Sequence, residues 1–133
     1  MFEQRIKFNF DAAHELAANV THKSPTSGQG PHRYARVHGH SFTATVILRV
    51  EALGESGWVE DFARVRGACD AAKGELDHRL LNEVEGLERP TLERLAEWIF
   101  LRLEKDLPAI KRVEVERPTL AEMAAFEPGG AIV

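Results

Sequence analysis

The feature that most restricts the fold is a long alternating segment between about Val37 and Val50. Apolar side chains occupy every second position, at Phe42, Ala44, Val46, Leu48 and Val50, with Thr43, Thr45 and Ile47 between them. Because successive side chains of a β-strand point to opposite faces, this pattern predicts a strand with one buried face. Its β-branched residues favour the same conformation. The chain therefore contains a sheet that other elements must cover.

Three shorter strands accompany this long one. The first covers about Phe2 to Phe10, where apolar and polar residues alternate with an interruption at Gln4 and Arg5. A third strand runs from Ile110 to about Glu116, and a short segment from Met123 to Phe126 closes a hairpin with it.

Two helices lie between the second and third strands, and each has a recognisable start. Asp61 is a suitable N-cap for a helix with Phe62, Val65, Cys69, Ala72 and Leu76 at helical spacing. The second helix opens at Thr91, after Pro90, carries Leu92, Leu95, Trp98, Ile99 and Leu103, and ends before Pro108. Both stripes are interpreted as core, and the Cys69 thiol as a small, inert buried group.

This order of elements predicts an α+β fold. Its centre is a four-stranded antiparallel sheet, with the two helices inserted between strands two and three and packed on one face. A chain of 133 residues suits one domain, spanning residues 1–133. The segment from Asn19 to Arg33 collects serine, proline and glycine, which predicts a long loop of the kind that is usually functional or mobile.

Three histidines form a candidate metal site. His38 and His40 stand at positions i and i+2 of the long strand, so their side chains project to the same face. His14 follows the first strand, and the three rings converge if the two strands are neighbours. Neutral imidazole is the commonest zinc ligand, and three such ligands leave a coordination position open for substrate or water. The plainer alternative is that each histidine is an ordinary hydrogen-bonded residue.

Composition excludes several classes of function. The net charge of −4 provides no basic surface for nucleic acid, so no nucleic-acid partner is expected. No apolar run approaches the roughly 20 residues of a membrane helix, and the start lacks a signal-peptide pattern. The single cysteine, Cys69, cannot form an internal disulfide, which favours a cytoplasmic location.

Five short motifs occur in order from near the start of the chain to its second predicted helix. They are FNFDAAH at 8–14, HGHSF at 38–42, GWVEDF at 57–62, LDHRLLN at 76–82 and RPTLE at 89–93. Together they resemble the 6-pyruvoyl-tetrahydropterin synthase and 6-carboxytetrahydropterin synthase family. Each motif alone is a weak signal, but five in the family's order are specific.

The resemblance implies a tunnelling fold, in which subunits join their sheets into a barrel, often a hexamer, with active sites between neighbours. It implies zinc bound by His14, His38 and His40, in agreement with their spacing. It also implies a pterin substrate, 7,8-dihydroneopterin triphosphate. Bacterial members mostly convert it to 6-carboxytetrahydropterin for the 7-deazaguanine (queuosine) route, releasing acetaldehyde and triphosphate. The zinc would bind the side-chain hydroxyls and acidify them.

Further roles follow from the resemblance. Asp77 and His78 match the family's Asp-His pair, in which the histidine transfers protons and the carboxylate sets its tautomer. Asp77 could instead be a turn or helix-terminus residue. Thr91 matches a threonine beside the pterin, although its position as an N-cap explains it without a substrate.

The chain departs from the family at the catalytic thiol. The family has a cysteine four residues before the first histidine of HGH, and here that position is Tyr34. A phenol, with a pKa of about 10, is harder to deprotonate than a thiol, with a pKa of about 8.5, so Tyr34 suits a proton donor better than a base. His32 is the other candidate for the missing base, unless it is a loop residue or binds the triphosphate with its cationic neighbours.

A second departure concerns the glutamate that binds the pterin's amino and ring N–H groups after the third strand. Strict alignment places Arg117 there, and a shift of one residue places Glu116. Glu122, beyond Pro118, is a third possibility. The sequence weakly favours Glu116, with Glu122 next.

The sequence therefore predicts a zinc-dependent lyase, a 6-carboxytetrahydropterin synthase. Because the cysteine is missing, two alternatives stay open. One keeps the fold, zinc and pterin pocket but has dihydroneopterin aldolase or epimerase chemistry. The other is a non-catalytic pterin-binding protein, which the three histidines and the Asp-His pair argue against.

Overall fold

The computed structural model describes residues 1–19 and 33–129. The predicted loop between Asn19 and Arg33 therefore lies almost wholly outside the described residues, as does His32. Within the described residues the order is two strands, two helices and two strands, with short 3₁₀ turns between them.

Four antiparallel strands form one sheet in the order β1-β2-β3-β4. They are β1, Phe2–His14; β2, His38–Val50; β3, Ile110–Arg117; and β4, Glu122–Phe126. All four predicted strands are confirmed. The first is longer than predicted, because Ala12 pairs with His40 and His14 with His38. Alanine gives a weak apolar signal, so the sequence pattern stopped at Phe10.

Both helices are confirmed: α1 spans Phe62–Leu76 and α2 spans Leu92–Leu103. The predicted caps are present, since Asp61 and Thr91 each accept a backbone N–H from the first turn. The prediction that Phe62 belongs to the core is wrong, because 53% of it is exposed and the buried stripe of α1 starts one turn later, at Val65. No helix in residues 1–19 and 33–129 combines the length and apolar content needed to cross a membrane.

The core lies between the helices and one face of the sheet. The rings of Phe10 and Phe42 stack there with centroids 5.0 Å apart, within a buried cluster that also contains leucine and isoleucine side chains of α2. Each such apolar side chain contributes about 1.5–3 kcal/mol when fully buried. Cys69 is fully buried in this layer, and burial raises the pKa of its thiol to about 11. The predicted inert thiol is consistent with this environment.

The opposite face of the sheet is charged. Ile47 is fully buried there, and its cross-strand neighbours are Arg5 and Arg112. Arg112 pairs with Glu114 at 2.9 Å, and Arg5 with Glu3 at 2.7 Å. The aliphatic parts of long charged side chains can shield an apolar residue in this way. Helices therefore cover one face and ion pairs the other.

The end of β1 is tied to the segment that follows α1. The His78 N–H donates to the Asp11 carbonyl at 2.7 Å, and the Ala13 N–H donates to the Arg79 carbonyl at 2.9 Å. Ala13 and Leu80 form a parallel bridge. This pairing brings the Asp77-His78 motif to the same end of the sheet as His14.

Candidate metal centre

Three histidines meet where β1 ends and β2 begins. His14 lies opposite His38 in the sheet register, and His40 lies opposite Ala12. All three continue the row of alternate positions that faces the helices, beyond Phe10 and Phe42. One ring nitrogen from each lies within 4.8 Å of the others. The predicted convergence of the three rings is confirmed.

Hydrogen bonds fix the tautomers of two of these rings. His14 Nδ1 lies 2.9 Å from the Pro90 carbonyl, and His38 Nδ1 lies 2.7 Å from the Arg36 carbonyl. A carbonyl oxygen only accepts, so each Nδ1 carries the proton and each Nε2 of the neutral ring carries a lone pair. The two Nε2 atoms are 3.1 Å apart. Two facing lone pairs repel unless a cation lies between them.

The third ring adds another unsatisfied nitrogen. His40 Nε2 is buried and has no hydrogen-bond partner. Burial lowers the pKa of His40 to about 4 and also lowers the pKa of His14, which is fully buried. Both rings are therefore neutral near pH 7, the form in which imidazole binds a metal ion.

The spacing of the His14 and His38 nitrogens fits a tetrahedral metal ion. Zinc–nitrogen bonds of about 2.0–2.1 Å place tetrahedral ligand nitrogens about 3.3–3.4 Å apart. The 3.1 Å between the Nε2 atoms of His14 and His38 is close to this spacing. The donor set consists of imidazoles alone, which does not suit Mg²⁺ or Ca²⁺, since these ions prefer oxygen. A borderline ion such as zinc fits, with one coordination position left open.

Tyr34 lies beside the histidines. Its ring centroid is 6.0 Å from that of His38, and the Arg33 guanidinium lies 5.3 Å from the centre of its ring. A pocket of about 280 Å³ is lined by Arg33, Tyr34, His38, His40 and Leu120. A ligand in this pocket would contact both the histidines and the tyrosine, so the structure brings the predicted Tyr34 to the metal centre.

Asp77 and His78 form a second polar group at the end of α1. Asp77 Oδ2 lies 3.0 Å from His78 Nδ1, and Asp77 Oδ1 accepts the Asp11 N–H at 2.9 Å. The bond from the Asp11 backbone, and then the bond from His78, lower the pKa of Asp77. The ionised carboxylate accepts the Nδ1 proton of His78 and leaves Nε2 as the acceptor nitrogen. This contact is compatible with the Asp-His pair of the resemblance, and Asp77 is also the C-cap of α1, as the alternative interpretation of a helix-terminus residue has it.

His78 adopts an uncommon backbone conformation. Its φ is 59°, in the left-handed region, at the position directly after the C-cap of α1 where glycine is usual. A non-glycine residue costs about 1–2 kcal/mol there. The side chain is 79% exposed and lines an open groove of about 590 Å³ together with His40 and Ser41. His40 thus borders both this groove and the Tyr34 pocket.

Thr91 performs its structural role. Its hydroxyl oxygen accepts the Arg94 N–H at 3.2 Å and caps α2. The preceding residue, Pro90, holds His14 through its carbonyl. Thr91 therefore follows directly after a residue that orients a histidine of the candidate metal site. This position brings Thr91 near the site, but no contact shows that it binds a ligand.

The candidate glutamates lie on different faces of the sheet. Glu116 pairs with Thr43 and alternates with the buried Val115, so it faces away from the histidines. Arg117 faces the histidine side, and its register partner is Glu122 at the start of β4. Arg117 Nη2 donates to Glu122 Oε2 at 3.1 Å. The structure therefore brings Glu122, but not Glu116, to the face that carries the histidines.

Sequence reasoning missed the groups that orient the histidines. The carbonyls of Pro90 and Arg36 are backbone atoms, which no residue-type pattern reveals. Asn82 was also missed: its side chain accepts the Glu15 N–H at 2.9 Å and donates to the Glu15 carbonyl at 2.8 Å, which fixes the chain just after His14. Pro90 lies within the RPTLE motif and Asn82 within the LDHRLLN motif, so the motif match was the signal that could have identified them.

Fold and site together define a class of protein: a four-stranded antiparallel sheet with two helices on one face and a three-histidine centre suited to a metal ion at one end. A family model described as 6-pyruvoyl tetrahydropterin synthase matches residues 3–128. The chain belongs to the 6-pyruvoyl tetrahydropterin synthase family.

Two proteins similar to this chain have different activities. A 6-carboxy-5,6,7,8-tetrahydropterin synthase of Synechocystis sp. is 35% identical over 131 residues, which cover 92% of this chain and 91% of the relative. A dihydroneopterin monophosphate aldolase of Pyrococcus furiosus is 32% identical over 118 residues, covering 89% of this chain and 87% of the relative. The reaction of this chain must therefore be argued from its site.

A solved structure confirms the fold. The 6-pyruvoyl tetrahydropterin synthase of Caenorhabditis elegans superposes with a TM-score of 0.77 at 24% identity and 96% coverage of each chain. The predicted α+β tunnelling fold of the single subunit is therefore correct.

Proposed function

We propose that this protein is a zinc-dependent lyase that converts 7,8-dihydroneopterin triphosphate to 6-carboxy-5,6,7,8-tetrahydropterin in the 7-deazaguanine route. The similarity to the Synechocystis 6-carboxy-5,6,7,8-tetrahydropterin synthase supports this reaction. The proposal includes a cytoplasmic location, which suits a chain whose single cysteine is a free, buried thiol. It also includes a homo-oligomer, in the form of a hexamer with sites between neighbouring subunits.

One observation carries the metal part of the proposal. The Nε2 atoms of His14 and His38 face each other at 3.1 Å while both Nδ1 protons are donated to backbone carbonyls. His40 Nε2 is buried nearby without a partner. Three lone pairs that converge in this way are stabilised by a cation, and an all-imidazole donor set favours zinc.

The histidines have the task of holding the ion in one place. His14 is fixed by the Pro90 carbonyl and His38 by the Arg36 carbonyl, so neither ring needs to reorient when the ion binds. When bound, zinc supplies Lewis-acid polarisation of the substrate's side-chain hydroxyls. The pocket beside Tyr34 admits the substrate to the open side of the centre.

Asp77 and His78 have the task of proton transfer. Asp77 accepts the Nδ1 proton of His78, which leaves His78 Nε2 free to take a proton from the substrate and return it. The 79% exposure of His78 supports a site that a neighbouring subunit completes. His32 stays a candidate base in the segment outside the described residues.

Binding of the pterin is assigned to Thr91 and Glu122. Thr91 is next to Pro90 and therefore close to His14, while Glu122 shares the face of the sheet with the histidines. Glu116 was the sequence preference, but it projects from the opposite face and could reach only a ligand bound there. We therefore place Glu122 before Glu116 as the carboxylate that accepts the pterin N–H groups.

A second candidate function is retro-aldol cleavage of a dihydroneopterin phosphate. Two observations favour it: Tyr34 occupies the place of the family's cysteine, and the Pyrococcus relative is a dihydroneopterin monophosphate aldolase. In this reaction a base takes the proton of a side-chain hydroxyl, the neighbouring carbon–carbon bond breaks, and a proton returns to the pterin side. A tyrosine hydroxyl suits the proton-returning step.

Product analysis distinguishes the two candidates. The protein would first be assayed for bound zinc by elemental analysis and then incubated separately with 7,8-dihydroneopterin triphosphate and with dihydroneopterin monophosphate. 6-Carboxytetrahydropterin, acetaldehyde and triphosphate support the lyase, whereas 6-hydroxymethyl-7,8-dihydropterin and a two-carbon aldehyde support the aldolase. Stoichiometric zinc without turnover of either substrate contradicts both and leaves the non-catalytic pterin-binding protein.

Variants at position 34 test the proton-transfer role directly. Tyr34→Phe keeps the ring beside His38 but removes the hydroxyl, so a proton-donating Tyr34 predicts a large loss of turnover. Unchanged turnover would exclude the hydroxyl from the reaction. Tyr34→Cys restores the family's thiol, and a shift of product towards 6-carboxytetrahydropterin would show that this position selects the chemistry.

A further inference from the structure

The side chain of Asn82 bonds both backbone groups of one residue, Glu15. Asn82 Oδ1 accepts the Glu15 N–H at 2.9 Å, and Asn82 Nδ2 donates to the Glu15 carbonyl at 2.8 Å. Nδ2 has two more distant acceptors, Glu15 Oε1 at 3.1 Å and the Glu88 carbonyl at 3.4 Å. Glu15 follows directly after His14, so the clamp acts next to a histidine of the candidate metal centre. The proposed reaction assigns no task to Asn82.

The two shorter bonds continue a β-ladder by means of a side chain. On the outer edge of β1, Ala13 forms a parallel bridge with Leu80. The next step of a parallel ladder lies two residues further along each strand, which sets Glu15 opposite position 82. There the chain has turned into the 3₁₀ helix Leu81–Glu83. The amide of Asn82 therefore supplies the donor and the acceptor that backbone groups would otherwise supply.

His14 is consequently held from both edges of β1. On one side its register partner is His38. On the other side, the residues that flank it are bonded to the segment after α1, Ala13 through the backbone and Glu15 through Asn82. Without the amide, this outer ladder would end at Ala13, before the metal-binding residue. Strand ends that lack such bonds open easily.

A displacement of the backbone at His14 is passed on to its ring. The ring is fully buried, its Nδ1 lies 2.9 Å from the Pro90 carbonyl, and its Nε2 lies 3.1 Å from His38 Nε2. The carbonyl fixes the tautomer that leaves Nε2 with a lone pair for the ion. Ligand groups must be held within about 0.5 Å of their productive positions, so the backbone beneath the ring must be fixed as well.

We propose that Asn82 is a positioning residue for the metal centre, whose amide holds the end of β1 so that the His14 imidazole stays aligned for a metal ion. Asn82 does not touch the ion; it acts through Glu15 and His14. This inference rests on the metal part of the proposed function.

The hydrogen bonds require an amide at this half-buried position. Leucine has a similar size but neither donates nor accepts, so Asn82→Leu removes the whole clamp. Aspartate accepts the Glu15 N–H but cannot donate to the Glu15 carbonyl, so Asn82→Asp keeps one bond and loses the other. The added negative charge of Asn82→Asp would by itself favour a cation. Weaker metal binding by this variant therefore reports on position and not on charge.

The first measurement is metal affinity. Chelator-treated full-length protein would be titrated with Co²⁺, whose visible absorption reports tetrahedral binding, and Zn²⁺ would then be measured by competition. Asn82→Leu is expected to weaken binding of both ions by at least about tenfold, since the loss of groups that orient metal ligands typically costs about 10–100-fold. Asn82→Asp should also weaken binding, and it keeps the test open if Asn82→Leu does not fold.

The second measurement needs no metal. In the metal-free wild type, the buried Nδ1–H of His14 is bonded to the Pro90 carbonyl and should give a slowly exchanging ring N–H signal in proton NMR. The Asn82 variants should lose this signal or exchange it faster. Asn9→Leu is the matched control, because Asn9 is another asparagine that bonds across strands, accepting the Thr43 hydroxyl at 2.8 Å on the opposite face of the sheet. It should change neither measurement, even if it lowers the stability.

The outcomes separate this inference from the proposed function. If the wild type binds the metal ions and the folded Asn82 variants bind them equally well, the inference is overturned and the metal function stands. Weaker binding with an unchanged His14 signal also overturns it, because the effect would not then pass through His14. If the wild type binds neither Co²⁺ nor Zn²⁺, both the inference and the metal function are overturned.

Discussion

Replacing His38 by alanine is expected to have opposite effects in the metal-free and metal-bound protein. In the metal-free protein the Nε2 atoms of His14 and His38 direct lone pairs at each other across 3.1 Å. Alanine removes this repulsion. Because His38 is only partly buried and its Nδ1 bonds a carbonyl two residues away, little packing is lost. The metal-free variant should therefore be as stable as the wild type, or more stable.

In the presence of metal the order reverses. An ion at 100 times its dissociation constant stabilises the folded protein by about 2.7 kcal/mol. The shift in Tm is this free energy divided by the entropy of unfolding, which is about 2.1 cal/mol/K per residue. For a domain of this size the rise in Tm is about 10 °C. A variant whose dissociation constant rises at least 100-fold gains no more than about 0.4 kcal/mol at the same concentration, which is a shift of about 1–2 °C.

The assay is thermal unfolding of chelator-treated protein, with and without added Zn²⁺, for the wild type and His38→Ala. His78→Ala is the matched control, since it removes an exposed histidine that does not belong to the three-ring centre. The reasoning fails if His38→Ala retains the wild-type metal shift. It also fails if the metal-free variant melts several degrees lower, because that result would mean that a proton joins the two rings as a hydrogen bond.

Three further predictions test other parts of the structure. Cys69 should react with a thiol reagent only on unfolding, because burial raises the pKa of the thiol to about 11; rapid labelling of the native protein would contradict its position in the core. Thr91→Ala should lower the free energy of unfolding by about 1 kcal/mol, and Thr91→Ser should restore it, as measured by urea denaturation; equal stability of both would exclude the cap. Hydrogen bonds from Asp11 and His78 lower the pKa of Asp77 in the folded protein. The ionised carboxylate therefore stabilises the fold above its ordinary pKa of 3.8, and this stabilisation is lost as the pH falls below that value. Asp77→Asn should lose less stability than the wild type over that acid range.

The fold was predictable because its signals are periodic and local. The alternation in β2, the caps at Asp61 and Thr91 and the stripe of α2 each depend on residues close in sequence. The error at Phe62 has a related cause. Helical spacing identifies which side of a helix is apolar, but it does not tell where along the helix the packed sheet ends.

The site was predictable only in part. The spacing of His38 and His40 gave their common face, and the motif match supplied Asp77 and His78. The face that carries each glutamate depends on the exact end of β3, where a shift of one residue reverses the direction of a side chain. The sequence therefore favoured Glu116, although the register places Glu122 on the histidine side.

Local departures from ideal structure accumulate at the histidine end of the sheet. Among the described residues, both non-glycine residues with positive φ, His78 and Ala121, adjoin groups assigned to the site. Two of the three buried side-chain atoms without a hydrogen-bond partner in residues 1–19 and 33–129, His40 Nε2 and Arg117 Nε, also lie there. Such costs, about 1–3 kcal/mol each, persist only where the surrounding structure or a ligand offsets them. A metal ion held by the three histidines would satisfy the imidazole nitrogen of His40, and would therefore account for an unpaired atom that a purely structural role for this end of the sheet leaves unexplained.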